Sequence, residues 1–182
     1  MKKFLVACLF FTAVLTGGMA EEAAVSVILN NFGARNYVPG AIPRADLDKI
    51  VSAGVRAPSA GNRQPWRFTV VSDSQLAKKI MDNAPDGTVF IIVSADSSSR
   101  EALFDCALAT ENMYLAAQAL GYGSRIYASP LNAVNGALKN ELGIQPEFSA
   151  VTVIRVGRLA PNVDAVSSAS PRKPAGNTVT YK

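Results

Sequence analysis

Ser59, Asn62 and Gln64 stand close together in the stretch Ala57-Pro58-Ser59-Ala60-Gly61-Asn62-Arg63-Gln64. Their side chains can both donate and accept hydrogen bonds. Pro58 and Gly61 mark a tight turn whose backbone amides can approach a ligand closely. Around this group the usual machinery of acid–base and metal catalysis is missing. The chain contains no histidine, which removes the commonest general base at neutral pH and the commonest metal ligand. A Ser-His-Asp hydrolase, a zinc enzyme and a haem-His protein are excluded by that absence. Cys8 lies in an apolar N-terminal run, and Cys106 sits mid-helix on an apolar flank, where an inert buried thiol is expected. Chemistry in such a chain is expected to come from a cofactor.

The elements that must position these residues begin after the N-terminus. Met1, Lys2 and Lys3, the apolar run Phe4 to Leu15, and the small residues around Gly18 and Ala20 read as a secretory signal over residues 1–20. Its apolar core is shorter than the roughly 20 residues a membrane-spanning helix requires. The mature domain is then 21–182, expected in the periplasm or outside the cell. Without Lys2 and Lys3 it carries 16 basic and 14 acidic residues, with no basic block that would suggest nucleic acid. Cys106 alone remains, so no intramolecular disulfide can form.

Apolar spacing predicts a helix over 23–31. A second helix opens at Pro43 with Leu47, Ile50, Val51 and Val55 on one face. Trp66 to Val71 is a short strand, with Trp66 expected in the core. Asp73 or Ser74 caps a helix to about Asn83, and Val89 to Val93 is a strand buried on both faces. The longest helix runs over about 99–120, with Leu103, Ala107, Thr110, Tyr114, Ala117 and Leu120 on one face. Asp105 and Glu111 read as solvated or paired helix residues. A short extended piece over 123–128 leads to Ser129-Pro130, which starts a helix ending at Gly143. Val151 to Val156 is a strand, and Thr178 to Tyr181 is a candidate terminal strand. The irregular alternation of helices and strands indicates an α+β fold.

Four segments in register resemble the FMN-dependent nitroreductase family. They are the loop Ala57 to Phe68, the helix-to-glycine run Glu111 to Gly123, Leu142-Gly143-Ile144-Gln145-Pro146 before a strand ending at Gly157, and Pro171-Arg172-Lys173-Pro174. Together they cover nearly all of residues 25–182. The resemblance implies a central mixed, mostly antiparallel sheet flanked by helices, and a homodimer with FMN at each of two symmetric interfaces.

It also implies the site. Pro58, Ser59, Ala60, Asn62 and Gln64 would meet the flavin ring, whose pyrimidine edge needs donors and acceptors. Arg35 matches a phosphate-binding residue, with Arg172, helped by Lys173, acting from the tail. The backbone amides of Ala128 and Ser129 would lie near flavin N5 and O4, although Ser129 also reads as a helix cap. The family usually places a second basic residue and a serine before Arg35; here those positions hold Asn31 and Gly33, with Phe32 between them. The implied activity is two-electron transfer from a reduced donor such as NAD(P)H to a nitroaromatic, quinone or similar acceptor, with no catalytic side chain, no metal and no nucleic-acid partner. A non-catalytic exported flavin- or small-ligand-binding protein with the same fold is the alternative, and the altered phosphate motif favours it.

Overall fold

The computed structural model describes residues 22–162 and 171–182. The signal segment expected over 1–20 lies outside them, as does the Ser/Ala stretch after Asp164. No helix among the described residues is long and apolar enough to cross a membrane.

Helix α1 spans 22–29 and leads to the two-residue strand β1, Tyr37–Val38. Helix α2 is Arg44–Val55, with Pro43 in the N-cap position. Strand β2, Trp66–Val71, follows the loop 57–65. Helix α3, Ser74–Ile80, is capped by Asp73, whose carboxylate accepts from the Leu76 amide at 2.8 Å. Strand β3 is Val89–Asp96, helix α4 is Ala102–Ala119 and strand β4 is Gly123–Tyr127. Helix α5, Leu131–Asn135, precedes the long strand β5, Phe148–Leu159.

The sheet order is β2-β3-β5, with β1 and β4 also paired to β5; all four of these pairings are antiparallel. Val89, Ile91, Val93 and Ala95 face a core shared with α2 and α4. Phe90 and Ile92, at the alternate positions, face a second core with α3 and the segment 131–144. Both sides of β3 are therefore covered, as its unbroken apolar run requires. Trp66 is 5% exposed and stacks on Phe68 with ring centroids 6.2 Å apart.

Several boundaries differ from the sequence expectation: helix α3 ends at Ile80 rather than about Asn83, and β5 extends beyond Val151 to Val156 at both ends. The long helix starts at Ala102, and its buried face is Ala102, Asp105, Cys106, Ala109, Thr110, Met113, Tyr114 and Ala117; Leu103 and Phe104 point outward. The helix after Pro130 ends at Asn135, and the chain then passes through turns to Gly143. Ser129 makes no side-chain cap; Pro130 occupies that place. Residues 178–182 form no strand, and the described tail, 171–182, contains only a 3-10 turn at Ala175–Asn177.

Helices α2 and α4 approach closely at Gly54, where an added Cβ would lie 2.7 Å from Met113 Cγ and Sδ. Gly54→Ala gains roughly 0.5–1 kcal/mol of helix propensity. Overpacking at such a contact costs about 1–3 kcal/mol. The expected net effect is a lower unfolding midpoint, measurable by urea denaturation.

Candidate functional site

The loop between α2 and β2 is built largely from its own atoms. Asn62 N–H donates to Ser59 O at 3.0 Å and Arg63 N–H to Ala60 O at 3.2 Å. The Ser59 hydroxyl accepts from the Gln64 amide at 3.0 Å, and Gln64 Nε2 donates to Asn62 Oδ1 at 3.0 Å. Gly61, Asn62 and Gln64 have φ of 56°, 55° and 49°. Glycine takes this left-handed region freely, whereas an asparagine or glutamine there stores strain, and such strain concentrates at ligand sites. The arrangement leaves Asn62 Nδ2 and Gln64 Oε1 as an unused donor and acceptor among the described residues, and both side chains are exposed.

Helix α4 anchors this loop. The Asp105 side chain, 1% exposed, accepts from the Ala60 amide through Oδ1 at 3.1 Å, and its Oδ2 has no partner among the described residues. Asp105 is thus neither solvated nor ion-paired, contrary to the sequence expectation. An acidic residue in phase with Cys106, Ala109 and Met113 on a helix's small, apolar stripe was the available signal. Arg63 adds an exposed ion pair to Glu101 at 3.3 Å. The next residue on the helix, Cys106, is fully buried with its thiol toward Ser94 O, and burial, reinforced by the neighbouring Asp105, pushes that thiol up to about 11. The inert reading of that cysteine agrees with this environment.

The Asn31–Arg35 segment is fastened to the other half of the same helix. Gln118 Oε1 accepts from the Phe32 amide at 3.2 Å, while Gln118 Nε2 donates to Phe32 O at 3.1 Å and to Ser124 Oγ at 3.0 Å. The Tyr114 hydroxyl donates to Asn31 Oδ1 at 3.2 Å. Ala34 N–H donates to Ser124 O at 2.9 Å, which ties the segment to β4. Asn31 therefore has a structural task where the family pattern has a cation. Arg35 is exposed. Burial raises the Tyr114 phenol above the ordinary tyrosine value, and the Arg172 guanidinium acts against that rise, so the tail arginine lies within electrostatic range of the Asn31 end. Ala128 and Ser129 are exposed, just beyond the last ladder pair of Tyr127 with Val153.

The expected site residues therefore fall into two groups. Arg35 follows the segment fastened to Gln118, Tyr114 and Ser124, Arg172 acts electrostatically on Tyr114, and Ala128 and Ser129 lie past the end of the adjoining β4. Pro58 to Gln64 are pinned to Asp105. The two attachment points on α4 are thirteen residues apart, roughly 20 Å at 1.5 Å per residue. One open cleft, of about 450 Å³, borders the loop through Arg63, Gln64 and Pro65, and its other walls include Arg67, Asp96, Arg100 and Phe148. It unites none of the other expected site residues. No group of three or more His, Cys, Asp or Glu able to hold a metal occurs among the described residues.

Known proteins share this fold. A relative from Archaeoglobus fulgidus bearing the name of an NADH dehydrogenase/NAD(P)H nitroreductase is 34% identical over 148 residues, 75% of this chain and 85% of the relative. A solved nitroreductase with bound FMN from Bacteroides fragilis superposes with a TM-score of 0.72 at 24% identity, covering 87% of this chain and 98% of that one. Another with bound FMN, from Desulfitobacterium hafniense, gives 0.74 at 20% identity, covering 88% and 98%. The nitroreductase family model matches residues 34–85 and 75–158, and with the Archaeoglobus relative and the shared fold it establishes that this chain belongs to the nitroreductase family.

Proposed function

We propose that the protein is an FMN-dependent oxidoreductase that works as an exported homodimer. The observation that carries this reading is the loop 57–65. Three residues with left-handed φ turn Asn62 and Gln64 outward, and a buried aspartate holds the turn. A loop this constrained, with an unused amide donor and carbonyl acceptor at its tip, fits the pyrimidine edge of a flavin. Arg35 and Arg172 fit its phosphate, since guanidinium groups bind phosphate oxygens through charge-assisted, often bidentate hydrogen bonds. The amides of Ala128 and Ser129 are assigned to the reactive edge of the ring.

The separation along α4 supports the homodimer. Two groups of contacts pinned roughly 20 Å apart are farther than one FMN extends from its pyrimidine edge to its phosphate. A second copy that brings its own loop to this chain's arginines completes the site. Apolar surface fits such an interface: Leu103 and Phe104 on α4 are 68% and 67% exposed, and Leu29 on α1 is 76% exposed. The site then forms only between folded partners.

When bound, FMN supplies the two-electron redox chemistry. The chain's own part is to hold the ring, to neutralise the phosphate and to leave one ring face open for a donor and then an acceptor. Without histidine it contributes no imidazole to proton transfer, and two-stage exchange through one open cleft does not require one. We assign NAD(P)H as donor and a nitroaromatic or quinone as acceptor. Export is assigned from the charged, apolar and small-residue order of residues 1–20.

Anaerobic addition of NADH to the purified holoprotein is expected to bleach the flavin colour, and a nitroaromatic is expected to restore it. A coloured protein that neither bleaches nor turns over contradicts the NADH-driven assignment. That result favours a non-catalytic flavin-binding protein, the reading that Asn31 and Gly33 support.

A further inference from the structure

Phosphate recognition is where this chain departs most from its family, because Asn31 and Gly33 bring neither a cation nor a hydroxyl. The fold places another cation there. Arg125, on β4, runs its side chain over Gly33: a Cβ built on Gly33 would lie 3.6 Å from Arg125 Cγ, 3.7 Å from Cδ and 3.9 Å from Nε. The arginine stem thus passes directly above the backbone of the Asn31–Arg35 segment, with its neighbour Ser124 bonded to Ala34 below.

The electrostatics explain this direction. Across the β4–β5 ladder Arg125 faces Arg155, a like charge. Arg155 turns inward, 4% exposed, with its guanidinium 4.2 Å from the Tyr37 ring centroid and donating to Asn83. Arg125, half-buried, passes over Gly33 with its guanidinium 5.1 Å from the Tyr127 ring centroid. Among the described residues it pairs with no carboxylate and donates no hydrogen bond to the protein. A half-buried guanidinium set between aromatic surface and backbone, facing another guanidinium, is a position that an anion stabilises.

We propose that Arg125 is a phosphate-binding residue of the flavin site, supplying from β4 the positive charge that Asn31 and Gly33 do not. This rests on the flavin reading above. It joins Arg35 and Arg172 around one end of the ligand and explains how the altered motif remains compatible with FMN. It also pairs two positions 92 residues apart, a residue without a side chain and a long cation laid across it.

The test uses the native dimer and two ligands that differ only by the phosphate. FMN and riboflavin are titrated, by flavin fluorescence, into the flavin-free wild type and into Arg125→Gln and Arg125→Lys. Arg125→Gln is expected to weaken FMN binding about ten- to a hundredfold, the equivalent of one charge-assisted hydrogen bond, and to leave riboflavin binding unchanged. Arg125→Lys, which keeps the charge, is expected to hold FMN within a few-fold of wild type. An equal loss of both ligands in Arg125→Gln assigns the arginine a purely structural role and overturns the proposal, as does unchanged FMN affinity. If the wild type binds neither ligand, the flavin reading itself has failed and the role of Arg125 falls with it; if it binds both equally, no phosphate site exists, and the present proposal is lost together with the phosphate roles of Arg35 and Arg172 while the ring contacts of the loop stand.

Discussion

Alanine at both Arg35 and Asn62 is expected to strip the protein of flavin while leaving its fold intact. Both side chains are exposed, so neither supports the core. They belong to the two separate ends of the proposed site, one a charged contact to phosphate and the other a neutral amide contact to the ring. Contacts this far apart combine almost additively. A charged hydrogen bond contributes about 1.5–3 kcal/mol and a neutral one about 0.5–1.5. Together the loss is about 2–4.5 kcal/mol, or roughly thirty- to two-thousandfold in Kd. Asn62 has φ of 55°, where alanine is strained, so Asn62→Gly serves as the companion variant: it removes the amide without the steric cost. If gel-filtered double mutants retain flavin as the wild type does, the residues have been assigned wrongly.

Asp105→Ala is expected to disable the same loop from beneath. The carboxyl is buried in the helix stripe against Ala60, and its removal leaves that amide without an acceptor. An unsatisfied buried donor costs about 1–3 kcal/mol, and here the cost falls on a turn already holding two non-glycine residues at positive φ. The loop is expected to loosen, with faster amide hydrogen exchange over 60–64, a lower unfolding midpoint and at least tenfold weaker flavin binding. Asp105→Asn keeps an oxygen acceptor and is expected to recover most of each. Equal damage from both substitutions would mean that the carboxyl is required for something other than the Ala60 bond, such as a partner for its free Oδ2.

The sequence patterns gave the strands well and the helices less well, for a definable reason. The continuous apolar run of β3 has one structural outcome in a two-sided sheet, and β2 emerges from a proline into a tryptophan that must be buried. Helix α4 is apolar nearly all round, so its spacing did not distinguish the stripe that meets the sheet from Leu103 and Phe104, which remain uncovered on a single chain. Ser129-Pro130 looked like the start of a long helix, but the helical run stops before Gly136 and the chain continues as turns.

The site shows the same division. The loop 57–64 is local, and its turn residues and polar amides were visible as a motif. Asp105, Gln118 and Arg125 were missed because each acts through a distant segment: Ala60, Phe32 and Gly33 respectively. Helical periodicity marks an acidic residue as solvated by default, and a strand pattern marks an arginine as edge decoration. Only the fold shows that one holds the loop and the other covers the backbone where a family side chain is absent.

The most direct test of the account is the binding stoichiometry of the native protein, measured by FMN titration together with light scattering. The account predicts a dimer that takes up one FMN per chain and loses the flavin when dissociated into monomers. A dimer that stays colourless at saturating FMN, or a monomer that binds FMN as tightly as the dimer, would contradict it.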